Sequence, residues 1–168
     1  ETRIISDSQT REWFINFLLK DENTLRVLID NVVDFSDPIL SVSDKNRFTN
    51  ANFSTYLWAK NTAQRGESEK LLRELITLRE GTFFTDFRTF ISKGEMSDQE
   101  ILIAFETLSK WYDILREFIP AMNMTLINSI ESVGQLSSLT LDWYRAQIWW
   151  YQSSFQANYA GYLQTSNQ

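Results

Sequence analysis

Three arginines stand among aromatic residues and are the best candidates for chemistry in this chain. Arg79 and Arg88 flank Gly81-Thr82-Phe83-Phe84, and Arg145 lies between Trp143-Tyr144 and Trp149. A guanidinium is planar, always charged and carries a fork of donors, so beside an aromatic wall it can clamp a carboxylate or a phosphate. Arg79, Arg88, Arg145 and Trp143 are therefore the candidate ligand-binding residues. The plainer reading is that each arginine lies along its helix or pairs with a nearby acid such as Asp86 or Asp142.

Composition removes most other chemistry. The 168 residues include no histidine and no cysteine. A zinc site, a thiol nucleophile, a Ser-His dyad, a disulfide and the usual Glu-x-x-His di-iron site cannot be built. No Gly-rich phosphate loop and no calcium-loop spacing occurs. The carboxylate pairs Glu67/Glu69 and Glu95/Glu100 fall where helix starts attract acids, so they read as dipole chemistry rather than catalysis. No catalytic residue, metal or cofactor is expected, and the chain reads as a non-enzyme. A hydrolase or lyase working with carboxylates alone is the least favoured reading. With 16 basic and 22 acidic residues the chain carries a formal charge of −6, the wrong sign for a nucleic-acid binder. No run of about 18 uncharged apolar residues exists, so any membrane attachment would come from segments outside this sequence.

The elements that would position these residues are helices. Five glycines and two prolines in 168 residues, with long 3.6-period stretches, predict an all-α chain: an antiparallel bundle of four to six helices in one domain. A first helix over about 7–34 carries Phe14, Leu18, Leu25, Leu28, Val32 and Phe35, with Asp21 as the polar member of the stripe. Ser36-Asp37-Pro38 is expected to stop it. A second segment, about 38–64, is polar in its middle, and Arg65-Gly66-Glu67-Ser68 reads as a C-cap followed by an N-cap. A third, about 67–92, has Gly81 inside it. A fourth opens on Ser97-Asp98-Gln99-Glu100, a capping box, and meets Pro120, which should kink or break it before Gly134.

The last segment, about 135–163, carries two apolar seams. One is Leu136, Leu139, Trp143, Ala146, Trp150, Ser153, Ala157 and Ala160. The other is Leu141, Tyr144, Ile148, Tyr151, Phe155 and Tyr162. Such a helix is either central in its domain or turns its second face to a partner. Tyr144, Ile148, Tyr151, Phe155 and Tyr162 are the candidate interface, with a homodimer as the expected assembly.

The stretch Leu78-Arg79-Glu80-Gly81-Thr82-Phe83-Phe84-Thr85-Asp86-Phe87 resembles the R-x-G motif, followed by an Asp, of double all-helical sensor domains of bacterial histidine kinases. The whole chain looks like the helical-bundle extracytoplasmic domains of sensor kinases and chemoreceptors. The resemblance implies a periplasmic, dimeric sensor domain of a two-component signalling protein, between two membrane helices, with a small-molecule or periplasmic protein ligand. A helical interaction or structural module is the alternative. A sensor between two membrane spans needs both its ends at one pole. Five up-and-down helices would put them at opposite poles, unless the second segment is split, a connection crosses over, or the helices are fewer.

Overall fold

Stripes of Leu, Ile, Val and Phe at 3–4 spacing need a partner surface, and four long helices supply it to one another. The computed structural model describes residues 8–40, 42–43, 62–127 and 138–166. Among these, the helices are α1 (Ser8–Leu40), α2 (Thr62–Glu80), α3 (Phe83–Ile91), α4 (Asp98–Ile127) and α5 (Ser138–Ser166), with no strand. The fold is an all-α antiparallel bundle.

Side-chain pairs fix the directions. Phe14 meets Phe105 edge-on with ring centroids 5.8 Å apart, and one helical stretch later the Tyr112 hydroxyl donates to Asp21 Oδ2 at 2.9 Å. So α1 and α4 run parallel. Against α4, α5 runs antiparallel: Tyr162 packs on Phe105, and Phe155 on Tyr112. The start of α2 is tied to the end of α4 by a 2.8 Å hydrogen bond between the hydroxyls of Ser68 and Thr125. Arg65 at the start of α2 donates to the carbonyl of Leu40, the last residue of α1, and Arg79 reaches back to Asp34. The parallel pair α1 and α4 is thus the diagonal of a four-helix bundle, with α2 and α5 antiparallel on either side. The first turns of α1, where Arg11 meets Asp98 and the Met96 carbonyl, and the last turns of α5 share one pole.

Several boundaries differ from the sequence expectation. The first helix does not stop at Asp34 but runs through Pro38 to Leu40. Proline removes only one helical hydrogen bond so near an end, and Ile39 and Leu40 are buried there. The Asp37 carboxylate then takes over as terminator, accepting the backbone N–H groups of Val42 and Ser43. Arg65–Ser68 is not a cap pair but continuous helix, since Arg65 and Ser68 are both buried and bonded to other helices. The expected third helix is two, broken at Gly81-Thr82. Pro120 does not break α4, which continues to Ile127. Its ring stands on the exposed side, where water can take the carbonyl it leaves unpaired, while Phe118, Ile119, Ala121 and Met122 are buried around it. Most of the expected second segment, and residues 128–137, lie outside the described residues.

The capping box forms as read. Ser97 Oγ accepts the Glu100 N–H at 3.1 Å, and Glu100 Oε1 accepts the Ser97 N–H at 3.0 Å. A charge-assisted hydrogen bond from Lys93, with the Ser97 bonds second to it, holds the Glu100 carboxyl down at about 2. Replacing Ser97 by Ala should cost about 1 kcal/mol, a drop of about 2–4 °C in Tm, as urea and thermal unfolding would measure.

Candidate functional site

Two adjacent acids of α1, Asp21 and Glu22, point into the bundle. Asp21 faces α4 and α5, where the Tyr112 hydroxyl is its partner. Burial pushes its carboxyl from 3.8 up to about 6, and the Tyr112 hydrogen bond opposes only part of that rise. Burial, then the negative charge of Asp21, pushes the Tyr112 phenol up as well. Tyr162 donates to the Phe105 carbonyl at 2.6 Å, and the rings of Tyr112, Tyr159 and Tyr162 lie against one another. The result is a polar strip through an otherwise apolar interior.

Glu22 faces the other way, toward α3. Its side chain is fully buried, with Arg26 Nε 3.2 Å from Oε2 and Arg88 Nε 3.7 Å from Oε1. Desolvation raises its pKa, against the pull of Arg88 and Arg26. Arg79 makes a 2.5 Å hydrogen-bonded ion pair with Asp34. The two guanidinium groups expected to hold a ligand are thus engaged by carboxylates of α1. Neither Asp86 nor Asp142 is the acid involved. They meet α1 at Glu22 and Asp34, 12 residues apart in number and about 18 Å along the helix, so they do not converge on one ligand. Arg145 is exposed. Trp143 is 55% exposed, with its ring 6.0 Å from Phe35 and edge-on to Tyr144 at 5.3 Å.

The residues expected at an interface face inward instead. Ile148, Phe155 and Tyr162 are buried, while Tyr144 and Tyr151 are half-buried against Phe35. This correction has a simple cause: the aromatic surface of α1 and α4 takes that seam into the core. The other seam is left outside, with Trp143, Ala146, Trp150, Ala157 and Ala160 all exposed.

A groove that the sequence did not disclose lies between α2, α3 and α4. Its volume is about 410 Å³, and its apolar lining is Leu78, Phe83, Trp111 and Ile114. Arg73, Glu74 and Lys110 stand among its lining residues. The helix break makes it: a Cβ on Gly81 would lie 2.8 Å from the Phe83 ring, so glycine lets that ring fold back over the junction. Phe83 remains 49% exposed. Such a lining can seat an apolar group and meet an acidic head with Lys110, since Arg73 is paired with Glu69. The signal in the sequence was a glycine two residues before an aromatic pair, but its cationic members come from helices 37 residues apart. Among the described residues no group of three or more acidic side chains is placed to hold a metal ion, and no helix is long and apolar enough to cross a membrane.

Comparison with known protein families, with curated proteins and with solved structures finds no match.

The raised pKa of Asp21 gives a testable pH dependence. A carboxyl that binds its proton more tightly in the folded state stabilises fully below the unfolded pKa of 3.8, and that stability is lost as pH rises through about 6. Asp21→Asn keeps an acceptor for Tyr112 and removes the ionisation. It should stabilise the fold by about 1–3 kcal/mol at pH 7 and by little at pH 4, measured by urea unfolding at both pH values.

Proposed function

We propose that this chain is a non-enzymatic sensing domain, of the extracytoplasmic helical-bundle type found in membrane signalling receptors, which binds a small molecule or a partner protein. One observation carries the reading: the start of α1 and the end of α5 lie at the same pole, so flanking segments leave the bundle from one side. That geometry suits a domain strung between two membrane helices. Four long helices among the described residues, rather than five in alternation, produce it. The groove beside Phe83 offers the ligand a seat, and its chemistry favours an apolar or aromatic body carrying a carboxylate. A helical interaction module is the second reading, favoured by the exposed tryptophans of α5.

Because this chain has no cysteine, a single introduced one reports cleanly. In the full-length protein without other cysteines, Gln9→Cys and Gln164→Cys should both react in intact cells with a maleimide that cannot cross the inner membrane. Protection of both until the cells are lysed would refute the extracytoplasmic reading. Indole-3-acetate or phenylacetate should raise the Tm of the full-length protein, and Lys110→Ala together with Phe83→Ala should abolish the rise.

A further inference from the structure

The outward seam of α5 is a second packing surface, left over after the bundle is complete. Trp143, Ala146, Trp150, Ser153, Ala157 and Ala160 follow one another at steps of three, four, three, four and three, and Gln164 continues the series. This is the 3.5-residue repeat by which two helices pack side by side. Trp150 is 62% exposed and Trp143 55%, and the alanines of the seam lie open to solvent. Trp149, 65% exposed, flanks the seam. A surface helix that needed only the bundle would carry polar residues here. Instead, no charged residue occurs from Ala146 to Gln168.

We infer that this seam pairs with the same seam of a second copy, the two α5 helices lying parallel about a two-fold axis. Three features select a second copy. The first is charge: the chain carries −6, so two copies repel wherever acids face each other, and an uncharged face is where they can meet. The second is shape. In a parallel pair each residue before the first core position lies across from the residue five places on in the partner. Trp149 would then lie over Ser154, and Gln156 over Gly161, so the bulky side chain of each pair faces a small one. The interior of the protomer gives no reason for Gly161, since a Cβ there would meet nothing within 4 Å and the backbone is ordinary helix. Glycine is costly in mid-helix, and close approach from outside accounts for it. The third is area. At the exposures given, the three tryptophans alone offer roughly 300–450 Å² per protomer. That is about half of the ~800 Å² per partner of a stable interface, and the rest of the seam adds to it.

The parallel direction rests on the sensing reading above, in which both ends of each copy face one membrane; the pairing itself does not. The test uses the full-length protein without other cysteines, purified in detergent and in its native membrane. Ser153→Cys and Ala160→Cys should each oxidise to a disulfide-linked dimer, and Arg145→Cys, exposed but off the seam, should not. Trp150→Glu should weaken the dimer at least tenfold by light scattering while leaving the helical circular dichroism unchanged. A monomer at 100 µM overturns the pairing, even if maleimide labelling upholds the extracytoplasmic reading. Preferential cross-linking of Trp143→Cys to Ala160→Cys in mixed samples overturns the parallel arrangement.

Discussion

The hydrogen bond from Tyr112 to Asp21 sets the frame on which the bundle is hung. It joins α1 to α4 across the diagonal, in an interior where an unpaired carboxylate is expensive. Sliding either helix by one turn would leave Asp21 facing apolar side chains, so the polar pair selects one register among several that the leucine stripes alone would allow. Since α1 and α4 run parallel, α2 and α5 both descend, and the start of α1 and the end of α5 come to one pole. The shared pole is a consequence of diagonal pairing, not of any residue near the termini.

The two faces of α5 divide the aromatic content of the chain between two tasks. The inward face is rich in tyrosine and phenylalanine: the Tyr162 hydroxyl donates to the carbonyl of Phe105, and the Tyr159 ring stacks on Tyr162 and Phe155. The outward face is rich in tryptophan and small residues: Trp143 rests partly on Phe35 and Tyr144, while Trp149 and Trp150 stand mostly in solvent. Tyrosine at the core and tryptophan outside follow from geometry. A phenol on the diagonal can reach a backbone acceptor, whereas three indoles would overfill a seam already closed by Phe105, Tyr112 and Phe35.

What the sequence disclosed was local, and what it hid was long-range. The capping box at Ser97 was legible because its two hydrogen bonds span three residues. The stripes of the first and fourth helices were legible because periodicity reports the face that is buried. Pro38 and Pro120 misled because a local rule met a tertiary one: burial of Ile39, Leu40, Phe118 and Met122 outweighs the single hydrogen bond that each proline removes. The seams of α5 were both visible, but their assignment was not, since two apolar seams on one helix have the same period and differ only in what packs against them. The arginines were singled out for their aromatic neighbours in sequence, and their partners, Asp34 and Glu22, lie 45 and 66 positions away.

The break at Gly81 gains meaning from those same ion pairs. Arg79, just before it, is bolted to Asp34, and Arg88, just after, reaches Glu22. Both ends of the junction are therefore fixed to α1, while Gly81, Thr82 and Phe83 between them are exposed. Phe83 is at once part of this junction and part of the groove wall with Trp111 of α4. A group wedged between Phe83 and Trp111 would press on α3 and α4 together. The ion pairs on either side join that region to α1 at Asp34 and Glu22. Since α1 and α4 are locked at Asp21, one residue from Glu22, the groove and the diagonal are mechanically adjacent. That adjacency ties the groove to the helix whose first turns stand at the pole shared with the end of α5.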